Sequence, residues 1–228
     1  MISIKNLTVQ FSTTIVLNNI SIDFTSNRIH GIVGLNGAGK TTFFNTLSTN
    51  LKADSGELTY NENKLNSRDI AYLETNNFFY SRLTGSEYLN IFTQTNPDFN
   101  LNTLQEFMQL PLDELVESYS TGMKKKLALL AILKQQRSVF LLDEPFNGLD
   151  LETNKIVELI ITNLKTKGKT IFLSSHIIDP LLSVCDEIHF LENGKFTKKF
   201  EKNDFHKIEE ELFRKLKTEA QGKIANSI

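Results

Sequence analysis

Cys185 is the only cysteine among 228 residues, which excludes an internal disulfide and a multi-cysteine metal site. It reads as a buried thiol in an apolar helix. Long apolar runs are also missing. The longest uninterrupted one covers positions 127–133, far short of the roughly 20 residues of a membrane-spanning helix. Nor is there an excess of one charge: 25 basic side chains face 27 acidic ones, for a net charge of −2. Neither a nucleic-acid footprint nor a strongly basic membrane-binding surface is expected from that balance. The opening residues, MISIK, read as a strand and lack the features of a signal peptide, so together with the single cysteine and short apolar runs a cytoplasmic location is expected. Repeats, low-complexity tracts and Pro/Gly-rich linkers are absent, so nothing marks independent domains. The remainder is ordinary, 40% hydrophobic and 23% charged, and long enough for a substantial core.

Periodicity then divides the chain. Leu7, Val9 and Phe11 alternate with polar neighbours, and Ile20, Ile22 and Phe24 repeat the pattern across a polar turn at 12–14. Short strands are expected at 56–60 and 69–73, the first closed by a turn at 61–64. From about 85 to 132 the texture is helical, with breaks at Pro97 and Pro111. After that come an apolar strand at 138–142, a helix marked by Ile156, Leu159, Ile160 and Leu164, and strands at 170–173 and 187–191. Strands alternating with helices predict a parallel sheet packed between helices. The class is therefore α/β, led by an antiparallel β region and interrupted by a helical insert of about fifty residues. Near the C-terminus Phe205, Ile208, Leu212 and Leu216 form a helical stripe that predicts packing on the body.

The chemistry begins at 34–41, GLNGAGKT, which satisfies the phosphate-binding loop pattern between a strand and a helix. Gly34, Gly37 and Gly39 lack a Cβ, so the backbone of Gly34, Leu35, Asn36, Gly37, Ala38 and Gly39 can wrap a polyphosphate and aim N–H groups at it. The following helix adds the positive end of its dipole. Lys40 can reach the β- and γ-phosphates, Thr42 extends the loop, and the Thr41 hydroxyl can ligate Mg²⁺. About a hundred residues later the apolar strand VFLLDE ends in two acids. Charge at the tip of a buried strand is costly unless used, so Asp143 reads as the Mg²⁺-side carboxylate and Glu144 as the group that polarises an attacking water. His176 ends the next strand, on the same sheet edge, where a γ-phosphate contact fits.

With these motifs in order, the chain resembles the ATP-binding subunit of an ABC (ATP-binding cassette) transporter over residues 1 to about 200. Phe11 stands where that family places an aromatic stacking on adenine. GLNGAGKT matches Walker A, YSTGM at 119–123 falls at the LSGGQ signature, VFLLDE matches Walker B, NGLD at 147–150 the D-loop, and His176 the switch histidine. The resemblance implies a P-loop NTPase with a RecA-like core, an N-terminal antiparallel β-subdomain and an inserted α-helical subdomain. The boundaries it implies are about 1–75 for the β-subdomain and first core segment, 76–135 for the helical subdomain, 136–200 for the rest of the core and 201–228 for a helical tail. It also implies ATP and Mg²⁺ as ligands, Lys40, Glu144 and His176 in catalysis, and Thr41 and Asp143 as metal ligands. Two cassettes, identical or different, would pair head to tail, with Ser120 and Gly122 reaching the partner's nucleotide in trans. Separate membrane-spanning permease subunits would carry the substrate, most resembling bacterial exporters.

The sequence departs from that pattern at three places. Thr121 and Met123 replace a glycine and a glutamine of the signature. Thr75, beside Glu74, stands where the family has the Q-loop glutamine, so Thr75 is the expected substitute toward Mg²⁺ or water. Phe78, Phe79 and Tyr80 read either as core or as a seat for a partner's helix. Two other functions stay open at this point: a soluble ABC ATPase outside transport, and a nucleotide-binding regulatory subunit.

Overall fold

The computed structural model describes residues 1–95, 98–208 and 210. It begins with a β-hairpin, β1 (Ile2–Phe11) and β2 (Thr14–Phe24), followed by the all-buried β3 (Ile29–Val33) and α1 (Lys40–Leu47). A second hairpin, β4 (Ser55–Tyr60) and β5 (Asn63–Lys64), leads to β6 (Ile70–Leu73). The insert holds α2 (Gly85–Ile91), α3 (Leu101–Met108) and α4 (Thr121–Leu133). Then follow β7 (Val139–Asp143), α5 (Leu151–Thr166), β8 (Thr170–Ser174), α6 (Asp179–Val184), β9 (Glu187–Glu192) and β10 (Lys195–Glu201).

Two sheets result. One is antiparallel in the order β2-β1-β4-β5, and the other runs β10-β9-β3-β8-β7-β6, with β10 its only antiparallel member. The central strands β3, β7 and β8 of the second sheet are buried on both faces, and alternate residues feed two different cores. Phe140 and Leu142 of β7, with Ile171 and Leu173 of β8, pack toward α4, α5 and the insert. Val139, Leu141 and Phe172 pack on the other side against α1 and the antiparallel sheet. That is the period-2 alternation of a strand with apolar layers above and below it. Each fully buried aliphatic or aromatic side chain contributes roughly 1.5–3 kcal/mol.

The helices of the insert start where the sequence supplies acceptors. Thr84 and Glu87 form a reciprocal capping box at α2, Asn100 caps α3 and Ser120 caps α4; such caps contribute about 1 kcal/mol each. The seven-residue apolar run is the second half of α4 and is buried at every position, so it is a core helix. Among the described residues no helix is long and apolar enough to cross a membrane.

The α/β class is the one expected, but details differ. Strand β10, KFTKKFE, was not anticipated, because its lysines face solvent and break the apolar alternation. Lysines on an exposed edge strand discourage further pairing. Cys185 is buried but sits just beyond α6 in extended backbone rather than inside a helix, and burial pushes its thiol up and keeps it inert. Leu159 of α5 is exposed, unlike Ile156 and Leu164 on the same helix. Positions 61–64 form the tip and return strand of a hairpin rather than a plain turn. Phe205 and Ile208 are buried against the body; Pro97, Leu212 and Leu216 lie outside the described residues.

Candidate functional site

The carboxyl ends of β3, β7, β8 and β6 lie along one edge of the parallel sheet, the edge where open α/β sheets bind ligands. A cavity of about 630 Å³ opens there, lined by Phe11, Val16, Asn36, Gly37, Gly39, Lys40, Thr41, Thr42, Thr75, Asp143, Glu144, Asn147 and His176. Phe11 stands half exposed at the end of β1 and forms one wall, so the antiparallel sheet contributes an aromatic surface to a pocket whose charged groups come from the parallel one.

The glycines of the loop do different jobs. Gly37 and Gly39 have φ of +83° and +104°, a region that side chains rarely adopt, and Gly39 is the N-cap of α1. Gly34 is needed for another reason: a Cβ there would stand 2.3 Å from the Leu191 carbonyl oxygen. It lets the loop leave β3 flush against β9, a packing demand that comes beside the close phosphate approach expected from the sequence. Leu35 projects to solvent and Ala38 is buried; neither side chain lines the cavity. The Lys40 ammonium is held inside the loop by the carbonyl oxygens of Gly34 at 2.7 Å and Leu35 at 3.3 Å. Burial lowers its pKa, and Glu144 and Asp143 draw it part of the way back.

Opposite the loop, Asp143 is 1% exposed. Its Oδ2 accepts the Thr41 hydroxyl at 2.9 Å and its Oδ1 accepts the Ser174 hydroxyl. Asp143, Thr41 and, on the cavity wall, Thr75 offer hard oxygen donors, the set that suits Mg²⁺. Glu144 is held at its backbone and its side chain separately. Its φ is +52°, a left-handed conformation that costs a residue other than glycine about 1–3 kcal/mol and persists only where neighbours enforce it. Its N–H donates to Ser174 Oγ at 3.0 Å, and its Oε2 accepts from His176 Nδ1 at 2.8 Å. Its carbonyl oxygen accepts from Lys125 Nζ. The structure therefore brings Phe11, the loop, Lys40, Thr41, Thr42, Thr75, Asp143, Glu144 and His176 to one cavity.

Ser120 and Gly122 stand outside it. Ser120 Oγ accepts the Met123 N–H at 3.2 Å and caps α4, and Gly122 lies against the turn at 147–150, where an added Cβ would sit 3.3 Å from the Gly148 oxygen. Tyr119 is buried and donates its hydroxyl to the Pro111 carbonyl at 2.6 Å, which ties the start of α4 to the insert. The aromatic triplet divides: Phe79 packs on Tyr88 with ring centroids 4.9 Å apart, whereas Phe78 and Tyr80 are 72% and 56% exposed. Sequence reading assigns no site role to Val16, Ser174 or Lys125, and places Asn147 in the D-loop without a role at the cavity. Ser174 lies two residues before His176, at the end of β8, and has no role assigned to it there; Lys125 sits in a lysine run that looks like a solvated helix face.

With this geometry in hand, comparisons with known proteins agree on its kind. The family model described as "ABC transporter" matches residues 17–147. The bacitracin transport ATP-binding protein BcrA of Enterococcus faecalis is 29% identical over 220 residues, covering 91% of this chain and 71% of the relative. The lantibiotic transport ATP-binding protein SrtF of Streptococcus pyogenes is 26% identical over 217 residues, covering 92% and 95%. A solved structure of an ATP-binding subunit of an ABC transporter superposes with a TM-score of 0.82 at 25% identity, over 90% of this chain and 91% of that one.

Proposed function

The chain belongs to the ABC transporter family of ATP-binding proteins, and from that premise we propose that its site hydrolyses ATP to drive a membrane transporter. One observation carries the reading. Glu144, on the rim of the phosphate-binding cavity, has its backbone fixed in a strained turn and its carboxylate oriented by His176. A positioned carboxylate of that kind accepts a proton from an attacking water. The loop N–H groups and Lys40 hold the phosphates, and Lys40 exchanges its two carbonyl partners for phosphate oxygens. Phe11 offers its ring to the base. Thr41 and Asp143, with Thr75 nearby, would hold Mg²⁺, which supplies charge neutralisation at the β- and γ-phosphates.

The proposal extends to a pair of cassettes. Ser120 and the Gly122 N–H, at the N-terminus of α4, are anion-binding groups that this chain's own cavity does not use. They serve the nucleotide of a second cassette packed head to tail. Leu35 and Ile177, in loops, and Leu151, the first residue of α5, stand 64%, 46% and 90% exposed, and a partner there would cover them. The membrane-spanning part is carried by separate permease subunits on whose cytoplasmic side the cassettes sit, with Phe78 and Tyr80 as contacts. Relatives named for bacitracin and lantibiotic transport make peptide antibiotics the substrate class to test first, with export as the direction.

Glu144→Gln tests this directly. It should leave ATP binding within about twofold of the parent, lower turnover at least about 100-fold and trap an ATP-dependent dimer on size exclusion. Undiminished turnover would remove Glu144 from the reaction.

A further inference from the structure

Lys125 is buried one turn into α4, 7% exposed. Among the described residues no carboxylate forms an ion pair with it, although burial, which lowers its pKa, is partly offset by the charges of Glu144 and Asp143. Its ammonium is instead spent on backbone: it donates to the carbonyl oxygen of Glu144 and, at 3.4 Å, to that of Asn147. Those two carbonyls bracket the turn that follows β7, which is closed by the Asn147 N–H donating to the Glu144 oxygen at 3.2 Å. A buried cation is costly, and a hydrocarbon side chain would fill the same space without that cost. What the cation adds is a strong, charge-assisted hold on a carbonyl, and the carbonyl it holds belongs to the residue with the left-handed backbone.

We propose that Lys125 is a positioning residue for hydrolysis. Ser174 fixes the N–H of Glu144, His176 orients the carboxylate, and Lys125 fixes the carbonyl, so the strained backbone has one enforced orientation. Lys125 also sits on the helix that begins with Ser120 and Gly122, and Gly122 touches the same turn at Gly148. The groups offered to the partner's nucleotide and this chain's own Glu144 therefore share one rigid connection. Engagement of α4 by a partner cassette is transmitted to Glu144 through Lys125. This rests on the role assigned to Glu144 above.

The test measures steady-state ATP turnover by the full chain as Lys125→Met, Lys125→Gln and Glu144→Gln, alongside the parent. Lys125→Met keeps the length and loses every donor; kcat should fall at least about tenfold while the ATP KM stays within about twofold. Lys125→Gln retains an N–H donor and should fall between Met and the parent. Adding Lys125→Met to Glu144→Gln should leave the ATP-trapped dimer in place. Parental kcat in Lys125→Met, or a loss confined to KM, overturns the proposal while leaving Glu144 untouched. If the Met variant does not fold, Lys125→Gln decides by the same two constants. Parental turnover in Glu144→Gln overturns the reading of Glu144 and this inference with it.

Discussion

Around Glu144 each neighbour has a separable task, which single substitutions can expose. His176 is half exposed and touches only the side chain, through the 2.8 Å contact to Oε2. Removing it frees the carboxylate without disturbing the turn or the loop. His176→Ala should therefore lower kcat about 100-fold with ATP affinity, measured by fluorescent-nucleotide displacement, unchanged. A parallel loss of affinity would assign His176 to nucleotide binding instead. Lys40 differs, since its ammonium is interior to the loop and charged against Asp143 and Glu144. These residues were legible in the sequence because phosphate and water chemistry demand a residue type at fixed spacing. Lys125 was not, because its partners are backbone carbonyls contributed from another element.

Among the elements, β9 combines two roles. It supports the phosphate loop through the Gly34–Leu191 approach, and it carries a buried ionic cluster. Glu187, 1% exposed, has His30 Nδ1 and His189 Nε2 at 2.8 and 2.9 Å from one oxygen, and Arg28 and Lys199 at 2.9 and 3.0 Å from the other. The donor atoms of His30, Glu187 and His189 converge as a metal site would, but two cations already neutralise the carboxylate, so the cluster is an ion-pair network. Burial alone would push Glu187 up; hydrogen bonds from His189, His30 and Lys199 outweigh it and hold the carboxyl far below the ordinary range. Burial also pushes His189 down.

Both shifts leave the unfolded chain binding more protons than the folded one in acid. The stability they supply is complete above the ordinary histidine value of 6.5. It is lost first through that range and again below the ordinary glutamate value of 4.5. Glu187→Gln removes the buried charge while Arg28 and Lys199 keep Glu201 as a partner; it should cost about 1–3 kcal/mol, measured by urea unfolding, and should flatten the acid limb below pH 4.5. An unchanged midpoint and pH profile would show the network to be energetically idle. None of this was legible beforehand. EIHF within β9 reads as an apolar strand with two tolerated polar residues, and β10, which brings Lys199, is an edge strand whose lysines hide its periodicity. The buried strands β3, β7 and β8 were legible because both of their faces are apolar.

At the scale of the whole molecule, the fold keeps two sets of candidate anion-binding groups apart. The loop, Asp143, Glu144 and His176 converge on one cavity, while Ser120 and Gly122, at the start of α4, do not line it. That division was readable from the order of motifs. The tie between the two halves, through Lys125 and the 147–150 turn, required the packed structure. The central claim is that ATP is hydrolysed between two chains, the loop of one meeting α4 of the other. Mixing two inactive variants tests it most directly. Lys40→Ala disables the loop and Gly122→Asp the start of α4, so each alone forms only defective pairs. In an equal mixture, half of the pairs are mixed and each regains one intact site, so turnover should recover to about a quarter of the parent. Turnover that stays at the level of the separate variants at every mixing ratio would contradict the account.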